Sequence, residues 1–127
     1  MIKKLPKILI ADDETLLRES LTTVLEEEYD VISAATGGEA VAKVKKEQVE
    51  IVILDLRLPD LDGLEVLRRI KEIDPTIAVI IVSAIKEAPT ELKAKALGAF
   101  DYITKPFNLE ELFWLLKKAL EKRSLAK

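Results

Sequence analysis

Five polar side chains end or directly follow short apolar runs, and their chemical types could bind a cation and handle a phosphoryl group. Three are carboxylates, one is a hydroxyl and one is an ammonium. The five residues are Asp12, Asp13, Asp55, Ser83 and Lys105. If the fold brings them to one place, they form a single polar cluster.

The chemistry of such a cluster follows from its charges. Carboxylates that lie close together repel one another and raise each other's pKa unless a cation compensates them. Sites rich in oxygen suit Mg²⁺, which keeps several waters and readily takes phosphate oxygens as further ligands. Aspartate is also an established covalent acceptor of phosphate. The set therefore predicts Mg²⁺ as a cofactor and a phosphoryl group as a guest.

Taken singly, most of these residues have an ordinary structural explanation. Asp12 or Asp13 could cap the helix that follows, because Asp is a favoured N-cap residue. Ser83 could bond the local backbone and Lys105 could be a surface lysine. Asp55 resists this explanation, since an unpaired carboxylate at the end of a buried strand is costly. A shared site accounts for all five.

The elements that must position these residues alternate along the chain. Apolar runs predict five β-strands at residues 7–11, 31–35, 51–55, 77–83 and 100–104. Between and after them, helical periodicity predicts helices at 14–28, 39–46, 64–73 and 89–97, and a last helix capped by Asn108. Gly98 suits the position after the fourth helix.

The inward faces of these helices are predicted from the same periodicity. They include the apolar residues Leu17, Leu21, Val24 and Leu25; Leu64, Leu67, Ile70 and Ile73; Leu92, Ala96 and Leu97; and Leu109, Leu112, Phe113, Leu116, Ala119 and Leu120. The alternation predicts an α/β fold with right-handed crossovers and a doubly wound parallel sheet covered by helices on both faces. Ligands of such sheets bind at the carboxyl ends of the strands, where the polar residues lie.

Length and composition exclude several classes of protein. At 127 residues the chain is expected to be one domain, with a core over about residues 6–123 and residues 124–127 as a tail or the start of a linker. The absence of Cys and His excludes thiolate and imidazole metal sites, disulfides and Ser-His-Asp chemistry. A net charge of -3 without a basic block argues against direct nucleic-acid binding. No apolar stretch approaches a membrane span, so we expect a cytoplasmic protein without a membrane partner.

The motifs together resemble the receiver domain of two-component response regulators over essentially the whole chain, which is similar in size to the single-domain chemotaxis regulator. They are Asp12-Asp13, Asp55 with Leu58-Pro59 and Asp62-Gly63, Ser83-Ala84, and Asp101 through Lys105-Pro106-Phe107, in the order and at the spacings of the family. The resemblance implies a (βα)5 fold with the flavodoxin-like strand order 2-1-3-4-5.

By this resemblance, Asp55 is the phosphoacceptor, supplied by a sensor histidine kinase or a small donor such as acetyl phosphate. Asp13 and Asp55 bind Mg²⁺ with the backbone carbonyl of Arg57, and Asp12 acts through a water. Lys105 holds a phosphoryl oxygen, and its bond to Pro106 is expected to be cis.

The resemblance also implies a two-state switch. Ser83 bonds a phosphoryl oxygen and Tyr102 turns inward as Ser83 moves, which shifts the face of the fourth helix, fifth strand and fifth helix toward an output domain or downstream protein. Arg57 and Ile85 occupy positions that modulate the lifetime of the phosphoryl group in this family.

Trp114 is predicted to lie opposite the inward face of the last helix, together with Leu125. It is either a partner contact or an exposed aromatic folded against lysine stems. A phosphorylation-dependent homodimer is expected to form, if at all, through the fourth and fifth helices.

Other functions share parts of this pattern. A Mg²⁺-dependent phosphohydrolase with an Asp nucleophile places a second acid two residues later, where this chain has Arg57, and carries a cap insertion. A flavodoxin-like flavin binder needs a hydroxyl- and Gly-rich phosphate loop, where this chain has Asp12-Asp13. A receiver used only for phosphate-independent docking is a further alternative, although every functional position is filled.

Overall fold

The computed structural model describes residues 4–126. Residues 1–3 and Lys127, which belong to the predicted N-terminal segment and C-terminal tail, lie outside the described residues. No helix in the described range is long and apolar enough to cross a membrane.

The sheet has five parallel strands whose bounds fall within one residue of the predicted ones. They are β1 (Lys7–Ala11), β2 (Asp30–Ala34), β3 (Ile51–Leu54), β4 (Ala78–Ser83) and β5 (Asp101–Thr104). Their order in the sheet is β2-β1-β3-β4-β5, and every neighbouring pair is parallel. The doubly wound fold and the strand order 2-1-3-4-5 are therefore confirmed.

Five helices alternate with the strands. They are α1 (Thr15–Leu25), α2 (Gly37–Lys46), α3 (Gly63–Ile73), α4 (Ala88–Ala96) and α5 (Leu109–Ala126). Gly98 lies just after α4 and has a φ of 103°. Glycine adopts this conformation without a Cβ penalty, in agreement with the predicted place of Gly98 at the end of the helix. Because α5 continues to Ala126, residues 124–126 extend this helix.

The core forms on both faces of the sheet because its central strands are apolar throughout. In β1, Leu9 and Ala11 pack on one face with α2, α3 and α4, whereas Ile8 and Ile10 pack on the other with α1 and α5. Fully burying an Ile or Leu side chain contributes roughly 1.5–3 kcal/mol. This two-sided burial fixes the strands whose carboxyl ends carry the polar residues.

The predicted inward faces of the helices are wrong at several positions. Val24, Ile73, Leu92, Ala96 and Leu109 are all exposed. The error in α4 has a clear cause: this helix buries the small side chain of Ala94 against the core, so Leu92, two residues earlier and on nearly the opposite side of the helix, faces solvent. Mixed Ala and Leu positions do not by themselves fix the rotation of a short helix.

Candidate functional site

The three predicted carboxylates meet at the carboxyl edge of the sheet. Asp12 and Asp13 directly follow β1, and Asp55 follows β3, its neighbour in the sheet. Each offers an oxygen, and these oxygens lie within 4.8 Å of one another. Asp12 and Asp55 are buried while Asp13 is exposed, so the cluster opens to solvent on one side. Such a set of hard oxygen ligands fits Mg²⁺.

Lys105 supplies the positive charge at the centre of this cluster. Its Nζ donates to Asp12 Oδ2 at 2.8 Å, to Asp55 Oδ2 at 3.0 Å and to Glu14 Oε1 at 3.1 Å. Burial disfavours the ammonium, but the hydrogen bonds that it donates to these three carboxylates outweigh burial and raise the pKa of Lys105 above its ordinary value. Lys105 is therefore firmly cationic.

Asp12 is held by its loop and by Lys105. Burial raises the pKa of the Asp12 carboxyl, although the hydrogen bond from Lys105 and the one from the Glu14 N–H oppose the rise. The Glu14 N–H donates to Asp12 Oδ1 at 2.8 Å, and Arg18 Nη1 donates to the Asp12 carbonyl at 2.6 Å. The residue at the N-cap of α1 is Glu14, whose side chain makes no capping bond. Asp12 thus orders the turn between β1 and α1 while facing the cluster.

The loop between β3 and α3 folds tightly behind Asp55. The Arg57 N–H donates to Asp55 Oδ1 at 3.0 Å, and Arg57 forms an isolated antiparallel bridge with Asp62. The Gly63 N–H then donates to the Leu56 carbonyl at 2.9 Å. A Cβ on Gly63 would stand 2.3 Å from the Leu56 Cα, so this return of the chain requires glycine. The loop fixes both Asp55 and the backbone of Arg57.

A second attachment holds the same loop from outside. Asp60 accepts hydrogen bonds from the Gly37 N–H at 2.7 Å and the Gly38 N–H at 2.9 Å, at the start of α2. The bond from Gly38 and then that from Gly37 lower the pKa of the Asp60 carboxyl. Asp60 thereby acts as a capping acceptor for α2 from a distant part of the chain.

Ser83 and Tyr102 lie on neighbouring strands and meet the same short segment after β4. Ser83 is fully buried, its carbonyl accepts from the Lys105 N–H at 2.8 Å, and its Oγ accepts from the Ile85 N–H at 3.4 Å. The Tyr102 hydroxyl donates to the Ile85 carbonyl at 2.6 Å. The Lys105–Pro106 peptide bond is cis. Ile85 therefore connects the end of β4 with the aromatic ring on β5.

Trp114 lies away from this cluster, on the outer side of α5. Its side chain is 59% exposed, and the Lys118 Nζ lies 5.4 Å from the ring centroid. A lysine at this distance interacts favourably with the face of the ring. Leu125 is also exposed.

The structure thus brings together the predicted Asp12, Asp13, Asp55 and Lys105, with Ser83 at the same edge of the sheet. Two contributors were missed from sequence: Glu14, the third carboxylate on Lys105, and Asp60, the external anchor of the loop. Glu14 carries a local signal, since it directly follows the Asp pair. Asp60 carries none, because its partners lie 23 and 22 residues away.

Residues 8–117 match the family described as the response regulator receiver domain. The chain belongs to this family. The receiver domain is 40% identical over 119 residues to sporulation initiation phosphotransferase F of Bacillus subtilis, covering 93% of this chain and 96% of that protein. It is 35% identical over 125 residues to the regulatory protein PhoP of the same organism, covering 94% of this chain and 50% of that protein.

The solved structures agree. The receiver domain superposes on the CheY-like receiver domain protein of Methanospirillum hungatei with a TM-score of 0.94 at 33% identity, covering 98% of this chain and 100% of that one. The chain is thus the phosphoacceptor switch module of two-component signalling and has a regulatory role. Response regulators work with histidine kinases and output domains, and the chain spans about half the length of several relatives.

Proposed function

We propose that Asp55 is the residue of this receiver domain that accepts the phosphoryl group. The observation that carries the proposal is the buried Asp55 carboxylate, bonded to Lys105 within a cluster of acids at the open edge of the sheet. A carboxylate oxygen of Asp55 attacks phosphorus, the bond from phosphorus to the donor nitrogen of a phosphohistidine breaks, and that nitrogen keeps the electron pair. The product is an aspartyl phosphate.

The acid cluster has the ligands that Mg²⁺ needs. Asp13 and Asp55 would hold the ion with the carbonyl of Arg57, and Asp12 would act through a water. When bound, Mg²⁺ would neutralise the negative charge on the transferring group. The rigid loop between Asp55 and Gly63 supports this role, because it fixes the backbone of Arg57 beside the carboxylate.

Lys105 and Ser83 are the residues proposed to receive the phosphoryl oxygens. Lys105 already contacts Asp55, so its ammonium lies beside any group formed on that carboxylate. Ser83 ends β4 at the same edge, where its hydroxyl can turn toward a phosphoryl oxygen. Preorganised donors of this kind, one charged and one neutral, stabilise the developing charge of a transfer reaction.

The segment after Ser83 is proposed to carry the signal. Ile85 accepts the Tyr102 hydroxyl through its carbonyl and donates to Ser83 through its N–H. A shift of the Ser83 hydroxyl toward phosphate therefore acts on the bond that holds Tyr102. Phosphorylation selects one arrangement of this segment and changes the face formed by α4, β5 and α5. Arg57 and Ile85 are proposed to modulate the lifetime of the phosphoryl group.

Trp114 is proposed as a contact on that output face. Its exposure and its place on α5 favour a role in binding an output domain, a downstream protein or a second copy of the chain. Trp114→Ala is expected to weaken phosphorylation-dependent association, measured by analytical ultracentrifugation with and without phosphorylation. Unchanged association would leave Trp114 as a surface residue packed under Lys118.

The donor kinase is proposed to dock beside the acid cluster. A groove of about 610 Å³ lies between α1 and the segment after β5 and reaches Lys105. Its apolar lining includes Leu17, Leu21, Val24, Phe107 and Leu109. This groove explains why Val24 and Leu109 are exposed although they belong to amphipathic helices, and it suits an apolar helix face that carries a phosphohistidine to Asp55.

We further propose that residues 1–127 form one receiver domain that catalyses its own phosphorylation and dephosphorylation. The domain works in the cytoplasm, as its family generally does, and contacts no nucleic acid directly.

Amide NMR spectra with Mg²⁺ and beryllofluoride, a phosphoryl analogue, test the proposed function. We expect shifts at the acid cluster and along β5 and α5 in the wild type, and none of these with Asp55→Asn. Equal shifts in both proteins would contradict it.

A further inference from the structure

The ammonium of Lys105 is fully occupied by carboxylates. A lysine ammonium has three N–H donors. Lys105 directs these donors to Asp12, Asp55 and Glu14, at 2.8, 3.0 and 3.1 Å. A phosphoryl oxygen that bonds Lys105 must therefore displace one of the three.

The three partners are unequal. The Asp12 side chain is only 5% exposed, so release from Lys105 would leave it a poorly solvated charge. Asp55 is only 7% exposed and carries the phosphoryl group itself, so its carboxyl group stays beside Lys105. The Glu14 side chain is 62% exposed, so water replaces Lys105 once that bond breaks. Glu14 is the partner whose release costs least.

Glu14 has no capping role that would otherwise explain its bond. It is the N-cap residue of α1, yet its side chain accepts no hydrogen bond from the helix backbone. The turn before α1 is held instead by the Asp12 carboxylate and by Arg18. The Glu14 carboxylate is therefore free to exchange partners without opening the turn.

We propose that Glu14 is an internal competitor of the phosphoryl group: its carboxylate occupies the donor of Lys105 that a phosphoryl oxygen takes after transfer. This inference rests on the proposed role of Asp55 as phosphoacceptor. Glu14 leaves for solvent when the phosphoryl group arrives and returns when it is lost. It thereby positions Lys105 in the resting state and lowers the affinity of the site for a phosphoryl group.

The size of the effect follows from the exposure of the pair. Exposed ion pairs contribute little, so removal of the competitor is expected to tighten phosphoryl binding by about two- to fivefold. Glu14→Ala removes the carboxylate. Glu14→Asp keeps the charge but shortens the side chain by one methylene, which draws the carboxylate away from Lys105. Glu19→Ala, on the exposed side of α1, is the matched control.

The test is isothermal titration calorimetry of the full chain with beryllofluoride in saturating Mg²⁺, with the melting temperature of each variant recorded. We expect tighter binding by Glu14→Ala and, to a lesser degree, by Glu14→Asp, with Glu19→Ala equal to the wild type. Equal affinity of Glu14→Ala and the wild type would overturn the inference and leave the phosphoacceptor role intact.

Two further outcomes are decisive. In the first, Glu14→Ala binds beryllofluoride more tightly than the wild type while Glu14→Asp binds it equally, or Glu19→Ala binds it as tightly as Glu14→Ala. Either result would assign the effect to charge alone and overturn the competition for Lys105. Failure of the wild type and all variants to bind beryllofluoride would overturn the proposed function, and the inference with it.

Discussion

The Lys105 ammonium donates a 3.0 Å hydrogen bond to Oδ2 of Asp55, fifty residues earlier in the chain. Two strands of the sheet bring the residues together, since Asp55 follows β3 and Lys105 follows β5, with β4 between them. Burial around the pair weakens the screening of its charges by water. The contact therefore places a fixed positive charge beside the proposed phosphoacceptor.

Replacement of Lys105 is expected to slow phosphorylation without abolishing the acid cluster. Lys105→Met removes the cation next to Asp55, and loss of one such group costs on the order of 100-fold in rate. Intact mass spectrometry over time with acetyl phosphate measures the rate. Lys118→Met, which alters an exposed lysine on α5, should leave the rate unchanged. Equal rates for Lys105→Met and the wild type would show that Lys105 is not needed for transfer.

Asp60 makes the stability of the domain depend on pH. The bonds from Gly38 and Gly37 lower the pKa of Asp60 in the folded state, so its stabilising effect is present above the unfolded pKa and is lost as pH falls through the folded pKa. Asp60→Asn should therefore lower the melting temperature at neutral pH and have a smaller effect in acid well below the ordinary Asp pKa of about 3.9. An equal decrease at both pH values would contradict this.

Gly63 is expected to tolerate no side chain. In Gly63→Ala the new Cβ would meet the Leu56 backbone at 2.3 Å, which forces the loop behind Asp55 to open. We expect a loss of at least about 1–3 kcal/mol in the free energy of unfolding, measured in urea, together with weaker Mg²⁺ binding. Gly38→Ala is the control, because its Cβ would meet only the Asp60 carboxylate, at 3.2 Å. Similar stabilities for the two variants would contradict the close packing of this loop.

The Tyr102 hydroxyl is expected to affect the switch segment but not the chemistry. Tyr102→Phe removes the bond to the Ile85 carbonyl and should lower the free energy of unfolding by about 0.5–1.5 kcal/mol. The rate of phosphorylation should stay unchanged, while the amide NMR shifts that beryllofluoride causes along β5 should decrease. If those shifts persist at full size, the hydroxyl bond does not carry the signal.

Most of the fold could be predicted because the strands are continuous apolar runs. The polar residues at their ends, such as Asp55 after β3, therefore point to the correct edge of the sheet. The rotation of α4 could not be predicted, since a helix of Ala, Lys and Leu gives several comparable inward faces. The structure buries Ala94 and exposes Leu92.

The contacts around the cluster were predicted less completely than its members. Lys105 could be placed near the carboxylates from its position after the last strand, but its third partner, Glu14, depends on the path of one exposed side chain. The anchoring of Asp60 on Gly37 and Gly38 depends on how two distant loops meet. No local pattern encodes the anchoring of Asp60, and for Glu14 the local pattern gives only its position directly after the Asp pair.

The most direct test of the account is the intact mass of the protein after incubation with acetyl phosphate, with and without Mg²⁺, beside Asp55→Asn. We predict the gain of one phosphoryl group in the wild type only when Mg²⁺ is present, and no gain in Asp55→Asn. A phosphoryl group on Asp55→Asn, or no gain in the wild type with Mg²⁺, would contradict the assignment of Asp55 as the phosphoacceptor.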